Sequence, residues 1–113
     1  MSVKLLSLSK NEDFKTLLSG KKVSNKYLTI FFRSLKDKNS KNLNISIVAQ
    51  KKLGNAVQRN KIKRRLKNIM YQIIKIIKIN LNYSYLIIAK KDITNAKYTD
   101  IKDALIKDYN KIK

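Results

Sequence analysis

The sequence predicts one α+β domain: a single-domain α/β sandwich of order α-(β)-β-β-α-β-α, with a β-α-β crossover through a long basic helix. Three observations carry this. Leu43 to Gln50 alternates apolar and polar residues, the period of a half-buried strand. Ala56 to Asn80 repeats its apolar residues at helical spacing, and a short apolar run, Tyr85 to Ala89, follows it. The 113 residues hold 43% apolar side chains, no proline and no linker, so residues 1–113 form one domain with one core.

Asn11 is placed to cap a short first helix, with Glu12 and Asp13 in its first turn, where acids complement the helix dipole. Phe14, Leu17 and Leu18 share one side of it, and Gly20 supplies the stop. Lys21 to Ser24 fits a very short strand. Tyr27 to Arg33 is the next, with Leu28, Ile30 and Phe32 on one face and Tyr27, Thr29 and Phe31 on the other. Ser34 to Asn42 reads as a loop. In the alternating strand, Leu43, Ile45, Ile47 and Ala49 point inward, and Asn44, Ser46, Val48 and Gln50 outward. Gly54 makes a turn and Asn55 caps the long helix, whose inward stripe is Ile62, Leu66, Ile69, Met70, Ile73, Ile76 and Ile77. Asn80 to Asn82 ends it. A final helix, Tyr98 to Ile112, turns Ile101, Leu105, Ile106 and Tyr109 inward.

Charge narrows the function. Twenty-seven Lys and Arg face seven Asp and Glu, a net charge of +20. Lys (23), Ile (16) and Asn (12) make up nearly half the chain, the skew of an AT-rich coding sequence. Mutational bias does not explain the placement, because Lys38 to Lys91 holds 14 cations and no acid. The absence of both Cys and His removes disulfides, zinc fingers and the usual Ser-His and Cys-His nucleophile pairs. Met1 to Lys10 is too short and too interrupted for a signal peptide, and no apolar run is long enough to span a bilayer. A cytoplasmic protein with a polyanionic partner is the expectation.

Lys51 to Lys67 contains eight cations in 17 residues. On a helix, Arg59, Lys63 and Lys67 form one row, with Lys61 and Arg64 further round, while Ile62, Leu66 and Ile69 face the core. Such a face suits a phosphate backbone, which it binds by displacing counterions. The helix N-terminus, Asn55 to Gln58, adds N–H groups as a further phosphate seat. Three of the four arginines, Arg59, Arg64 and Arg65, lie here, where a guanidinium makes bidentate contacts that an ammonium does not. Phe14 and Phe31 fit either ordinary core or an apolar groove beside the basic helix, where unstacked bases could lie.

The run Lys51-Lys52-Leu53-Gly54-Asn55-Ala56-Val57-Gln58-Arg59-Asn60-Lys61-Ile62-Lys63-Arg64 resembles the signature of the bacterial ribonuclease P protein component. Lys10 to Phe14 and Tyr85 to Lys90 extend the resemblance over nearly the whole chain. The resemblance implies a subunit of an endoribonuclease that removes the 5′ leader of precursor tRNA. Catalysis would sit in an RNA subunit that uses Mg2+, leaving no catalytic residue, metal or other cofactor in this chain. The implied partners are that catalytic RNA and precursor tRNA, with no membrane and no protein partner. Carried over by position, Lys51, Lys52, Asn55, Arg59, Asn60, Lys61, Lys63, Arg64, Arg65 and Lys67 would bind RNA. Phe14, Leu18, Phe31 and Val48 would line a leader cleft between sheet and first helix. The resemblance also implies a left-handed crossover, against the usual rule.

The chain departs from the family pattern at several points: Lys61 stands for the second arginine of Arg-Asn-Arg, Leu18 for an aromatic, Ala49-Gln50 for Val-Ser, and Ser84 for Asp. The stretch before Asn11 lacks arginines. Three other readings compete. A general RNA-binding or ribosomal-type protein shares the charge but not the central motif. An autonomous nuclease would need clustered carboxylates, and Glu12-Asp13 or Asp100 and Asp103 are its poor candidates. A membrane-surface helix could be drawn from Ile73 to Ile79, although a buried crossover helix explains that segment at less cost.

Overall fold

Alternation along the strands gives the sheet two apolar faces, and each is covered by different helices. The computed structural model describes residues 5–7, 11–34 and 41–112. Its elements are β1 (Leu5–Ser7), α1 (Asn11–Leu18), β2 (Lys21–Ser24), β3 (Leu28–Arg33), β4 (Leu43–Val48), α2 (Ala56–Ile76), β5 (Ser84–Ala89) and α3 (Tyr98–Lys111). Short 3-10 turns at Lys51–Leu53 and Lys91–Asn95 precede α2 and α3. The sheet order is β1-β4-β5-β3-β2. β1, β4 and β5 run parallel, whereas β5 pairs antiparallel with β3, and β3 with β2. The expected crossover is therefore present, with α2 joining the parallel neighbours β4 and β5.

One face packs Leu28, Ile30 and Phe32 of β3, Leu43 and Ile45 of β4, and Tyr85, Ile87 and Ala89 of β5 against α2 and α3. From α2 come Ile62, Leu66, Ile69, Met70 and Ile73, all buried; from α3 come Ile101, Leu105 and Tyr109. The other face is smaller. There Leu17 of α1 and Leu86 of β5 are buried, with Phe14, Phe31, Val48 and Ile88 half-buried around them.

The structure corrects or completes three expectations. β1 is an additional parallel edge strand, in register Leu5 with Leu43 and Ser7 with Ile45. Three residues are too few to show a period in sequence. The long helix ends at Ile76, not Asn80, so Ile76 leaves the inward stripe and stands 59% exposed. Ile77 caps it in extended conformation and packs half-buried on the core, and Ile79 is buried beyond it. The isoleucines of 73–79 spread round the helical wheel because two of them follow the helix. Asn44, placed outward, is buried. Asn11 is the first residue of α1, while its side chain and those of Glu12 and Asp13 lie outside the described residues, as does most of the Ser34–Asn42 loop.

Gly20 has a tighter role than a helix stop. Its N–H donates to Leu17 O (3.0 Å), and a Cβ there would lie 2.9 Å from Phe32 O. The turn before β3 is tied to α3 by a polar cluster. Asn25 Nδ2 donates to buried Asp108 (2.7 Å), and Asn25 Oδ1 accepts from the N–H groups of Tyr27 (2.7 Å) and Leu28 (3.1 Å). Such buried groups are stabilising only while their partners are kept.

Tyr85 and Tyr109 meet edge to face, with ring centroids 5.3 Å apart. The Tyr85 hydroxyl donates to Asn80 O, whereas the Tyr109 hydroxyl is buried without a partner among the described residues. Burial first, then the neighbouring Tyr85 and Asp108, pushes the Tyr109 hydroxyl well above the usual tyrosine range. Folded Tyr109 stays neutral while the unfolded side chain ionises, so stability falls as pH rises past about 10. Tyr109→Phe removes both the orphan hydroxyl and its titration. At pH 7 its unfolding free energy in urea should be equal or higher, by up to about 1 kcal/mol, and its decline above pH 10 shallower. A loss of several kcal/mol at pH 7 would show that the hydroxyl has a partner.

Candidate nucleic-acid interface

The geometry that aims α2 begins at Gly54, whose φ of 136° lies where side-chain-bearing residues are strained. A Cβ at Gly54 would also fall 2.0 Å from Gln58 Oε1. That oxygen is needed, because it accepts the Asn55 N–H (3.0 Å) while Asn55 Oδ1 accepts the Gln58 N–H (2.9 Å). The pair is a capping box that fixes the first turn of α2. It also revises the phosphate seat. The Asn55 and Gln58 N–H groups are satisfied within the chain, leaving those of Ala56 and Val57, which no intrahelical acceptor can reach.

From this start the helix displays its cations as the spacing requires. Lys51, Lys52, Asn55, Asn60, Lys61, Lys63, Arg64, Arg65 and Lys67 are exposed, and Arg59 is half-buried with its Nε lacking an acceptor among the described residues. The sequence-predicted RNA contacts do not all share one direction. Lys63 and Lys67 overhang β4 beside Leu5, Ile45, Ser46 and Ile47, around a depression of about 200 Å3. Lys61 and Arg65 lean the opposite way, toward the 3-10 turn before α3, and Arg65 Nη1 donates to Ala96 O (3.2 Å). Among the described residues none of these side chains forms an ion pair. Asp100 and Asp103 are exposed on α3, and no three acidic, His or Cys groups gather closely enough to hold a metal ion among those residues.

Of the cleft residues, the structure brings together Phe14, Phe31 and Val48, over Leu17 and Leu86. Leu18 is 49% exposed and not part of that cluster. The groove is not beside the basic helix as expected. Phe31 and Val48 point to the α1 face of the sheet, and α2 covers the other. Odd and even residues of one strand cannot share a face, so the strand that supplies Ile45 to the α2 core must turn Val48 away from it. Lys22, which no sequence motif marks, belongs with the groove: it pairs with Phe31 across the β2–β3 ladder and holds its ammonium 5.9 Å from the ring centroid. Lys90 closes the Tyr85 to Lys90 stretch, but the sequence assigns it no role. It donates to Ser24 Oγ (2.6 Å) and Asn25 O (2.7 Å), beside the same face.

The family model for ribonuclease P matches residues 3–113. The chain belongs to the ribonuclease P protein family. It is 34% identical over 100 residues to the ribonuclease P protein component of Listeria monocytogenes, covering 88% of this chain and 81% of that one. The ribonuclease P protein component of Mycoplasma mycoides is 32% identical over 106 residues and 94% of both chains. The fold agrees with the RNase P protein of Staphylococcus aureus, at TM-score 0.78 and 27% identity over 95% of this chain and 94% of that one. The RNase P protein from Thermotoga maritima shares the fold at TM-score 0.80, 22% identity and coverage of 96% and 98%. As a member of that family it is an RNA-binding subunit of an endoribonuclease that acts in tRNA processing. None of its described helices is long and apolar enough to cross a membrane.

The capping geometry makes Gly54→Ala a sharp test of how α2 is aimed. Strain at positive φ plus displacement of Gln58 should cost about 1–3 kcal/mol in urea unfolding. Gln58→Ala, which loses one side of the box only, should cost about 1 kcal/mol.

Proposed function

We propose that this chain bridges two RNAs, holding the catalytic RNA with α2 and the 5′ leader of precursor tRNA with the α1 face of the sheet. The supporting observation is that the two RNA-suited surfaces lie on opposite faces of one sheet. On one side Arg59, Lys63, Arg64 and Lys67 project from a helix whose back is buried, with no carboxylate partner among the described residues. On the other, Phe14, Phe31, Val48 and Ile88 are half-buried rather than sealed, and Lys22 stands over Phe31. A sheet five strands wide and one layer thick can touch both RNAs at once.

The chemistry divides accordingly. The α2 cations neutralise backbone phosphates without reading sequence, which fixes position and makes affinity salt-dependent. The half-buried ring of Phe31 offers a stacking platform to an unpaired leader base, and the Lys22 ammonium can meet the adjoining phosphate. Lys51, Lys52, Asn55, Asn60, Lys61 and Arg65 complete the basic surface in this reading. Mg2+ for the hydrolytic step belongs on the RNA subunit, and this chain's residues bind and orient rather than transfer protons. The general RNA-binding alternative predicts no preference for a leader.

One comparison separates these readings, and substitutions test the two surfaces. With the catalytic RNA at low Mg2+, adding the protein should tighten binding of leader-bearing tRNA and leave mature tRNA nearly unchanged; equal gains for both would favour the general binder. Arg59→Ala or Lys63→Ala should flatten the log–log salt slope of RNA binding by about 0.7 to 0.9 for each phosphate that the side chain neutralises. Phe31→Ala should weaken leader binding by about 1–3 kcal/mol and leave that slope unaltered.

A further inference from the structure

Between the first three turns of α2 and the 3-10 turn before α3 lies a cavity of about 380 Å3. Its floor is hydrocarbon: Leu53, Ile62 and Ile93 are 6%, 9% and 1% exposed. Its rim is polar and cationic, with Lys61 and Arg65 one helical turn apart on the same edge of α2, and no carboxylate lines it among the described residues. We propose that this cavity binds one unstacked nucleotide of an RNA strand, base on the floor and phosphate at the rim. The inference rests on the reading that α2 faces RNA, and adds a base-binding site to a surface otherwise suited only to backbone.

Each part of a nucleotide has a counterpart. The phosphate meets Lys61 and Arg65; the latter is already held by its bond to Ala96 O, so little side-chain freedom is lost on binding. The base edge meets groups of both polarities. Thr94 Oγ1 donates to Lys91 O (2.9 Å), which leaves its lone pairs to accept from an exocyclic amine. Gln58 Oε1 is occupied by the Asn55 N–H, so its amide NH2 remains as donor, and Asn95 offers both. A bare phosphate would need the cations alone. The buried apolar floor, and a volume within the range of small-ligand pockets, suit a base as well. The chain's charge of +20 and the cations continuing along α2 favour a nucleotide that is part of a polymer.

The test uses the full chain bound to the catalytic RNA, with chemical probing of every base edge and of the backbone. Wild-type protein should protect one unpaired nucleotide at its base edge. Thr94→Tyr, which fills the cavity from an exposed position, should restore that nucleotide's reactivity and keep the backbone protection given by Lys63 and Arg64. Asn95→Asp, which adds a negative charge at the rim with little change in size, should weaken RNA binding roughly tenfold, and thermal unfolding of both variants should match wild type. Identical base reactivity for wild type and both variants, with backbone protection intact, would overturn the cavity site and leave the α2 interface standing. Absence of all backbone protection by the wild type would instead overturn the interface and the site together. Saturation of the free protein by a nucleoside monophosphate at micromolar concentration, with no RNA nucleotide responding, would assign the cavity to a free nucleotide and also overturn the proposal.

Discussion

A chain carrying +20 must fold against its own repulsion while leaving cations available to a partner, and the hydrocarbon back of α2 reconciles the two demands. Ile62, Leu66, Ile69, Met70 and Ile73 are at most 9% exposed, and each such side chain contributes roughly 1.5–3 kcal/mol by leaving water. That burial fixes the helix without committing charge to internal ion pairs. Among the described residues the α2 cations have no carboxylate partner, which leaves their charge for a phosphate backbone. Everything else in the molecule orients that helix: Gly54 turns the chain, the Asn55–Gln58 box starts it, and Arg65 and Lys102 tie it to the α3 side.

The sheet gives the molecule two unlike faces. Because strand residues alternate, β4 supplies Ile45 to the α2 core and Val48 to the α1 face, and β3 supplies Ile30 to one and Phe31 to the other. The α1 face is only partly closed, since an eight-residue helix cannot cover a sheet of five strands. Phe14, Phe31 and Val48 are left half-buried, a condition that a pure core would avoid and a stacking surface requires.

Much of this is legible in the residues, for identifiable reasons. The alternation of Leu43 to Val48, the α2 stripe, and Gly54 before Asn55 are patterns set by covalent geometry, so sequence shows them directly. Leu5–Ser7 is too short for a period, and its place beside β4 depends on a partner 38 residues away. The exposed Ile76 follows from where α2 stops, which no cap residue announces: the chain turns extended at Ile77, before it reaches the Asn80 to Asn82 segment that has the composition of a terminus. The separation of groove from basic helix emerges only when the strand alternation is carried across the sheet to α2. Thr94 and Asn95 give no signal at all, since a 3-10 turn acquires its lining role only when Ile93 plugs into the core beside Ile62.

Whether the two faces of one sheet meet two different RNAs can be measured directly. The chain has no cysteine, so one cleavage reagent can be tethered at a chosen position. Carried on Leu18→Cys at the α1 face or on Arg64→Cys on α2, it should cut different molecules in the assembled ternary complex. The expected result is scission in the leader of precursor tRNA from position 18 and in the catalytic RNA from position 64. Cuts from both positions falling in the same RNA would contradict a two-sided bridge.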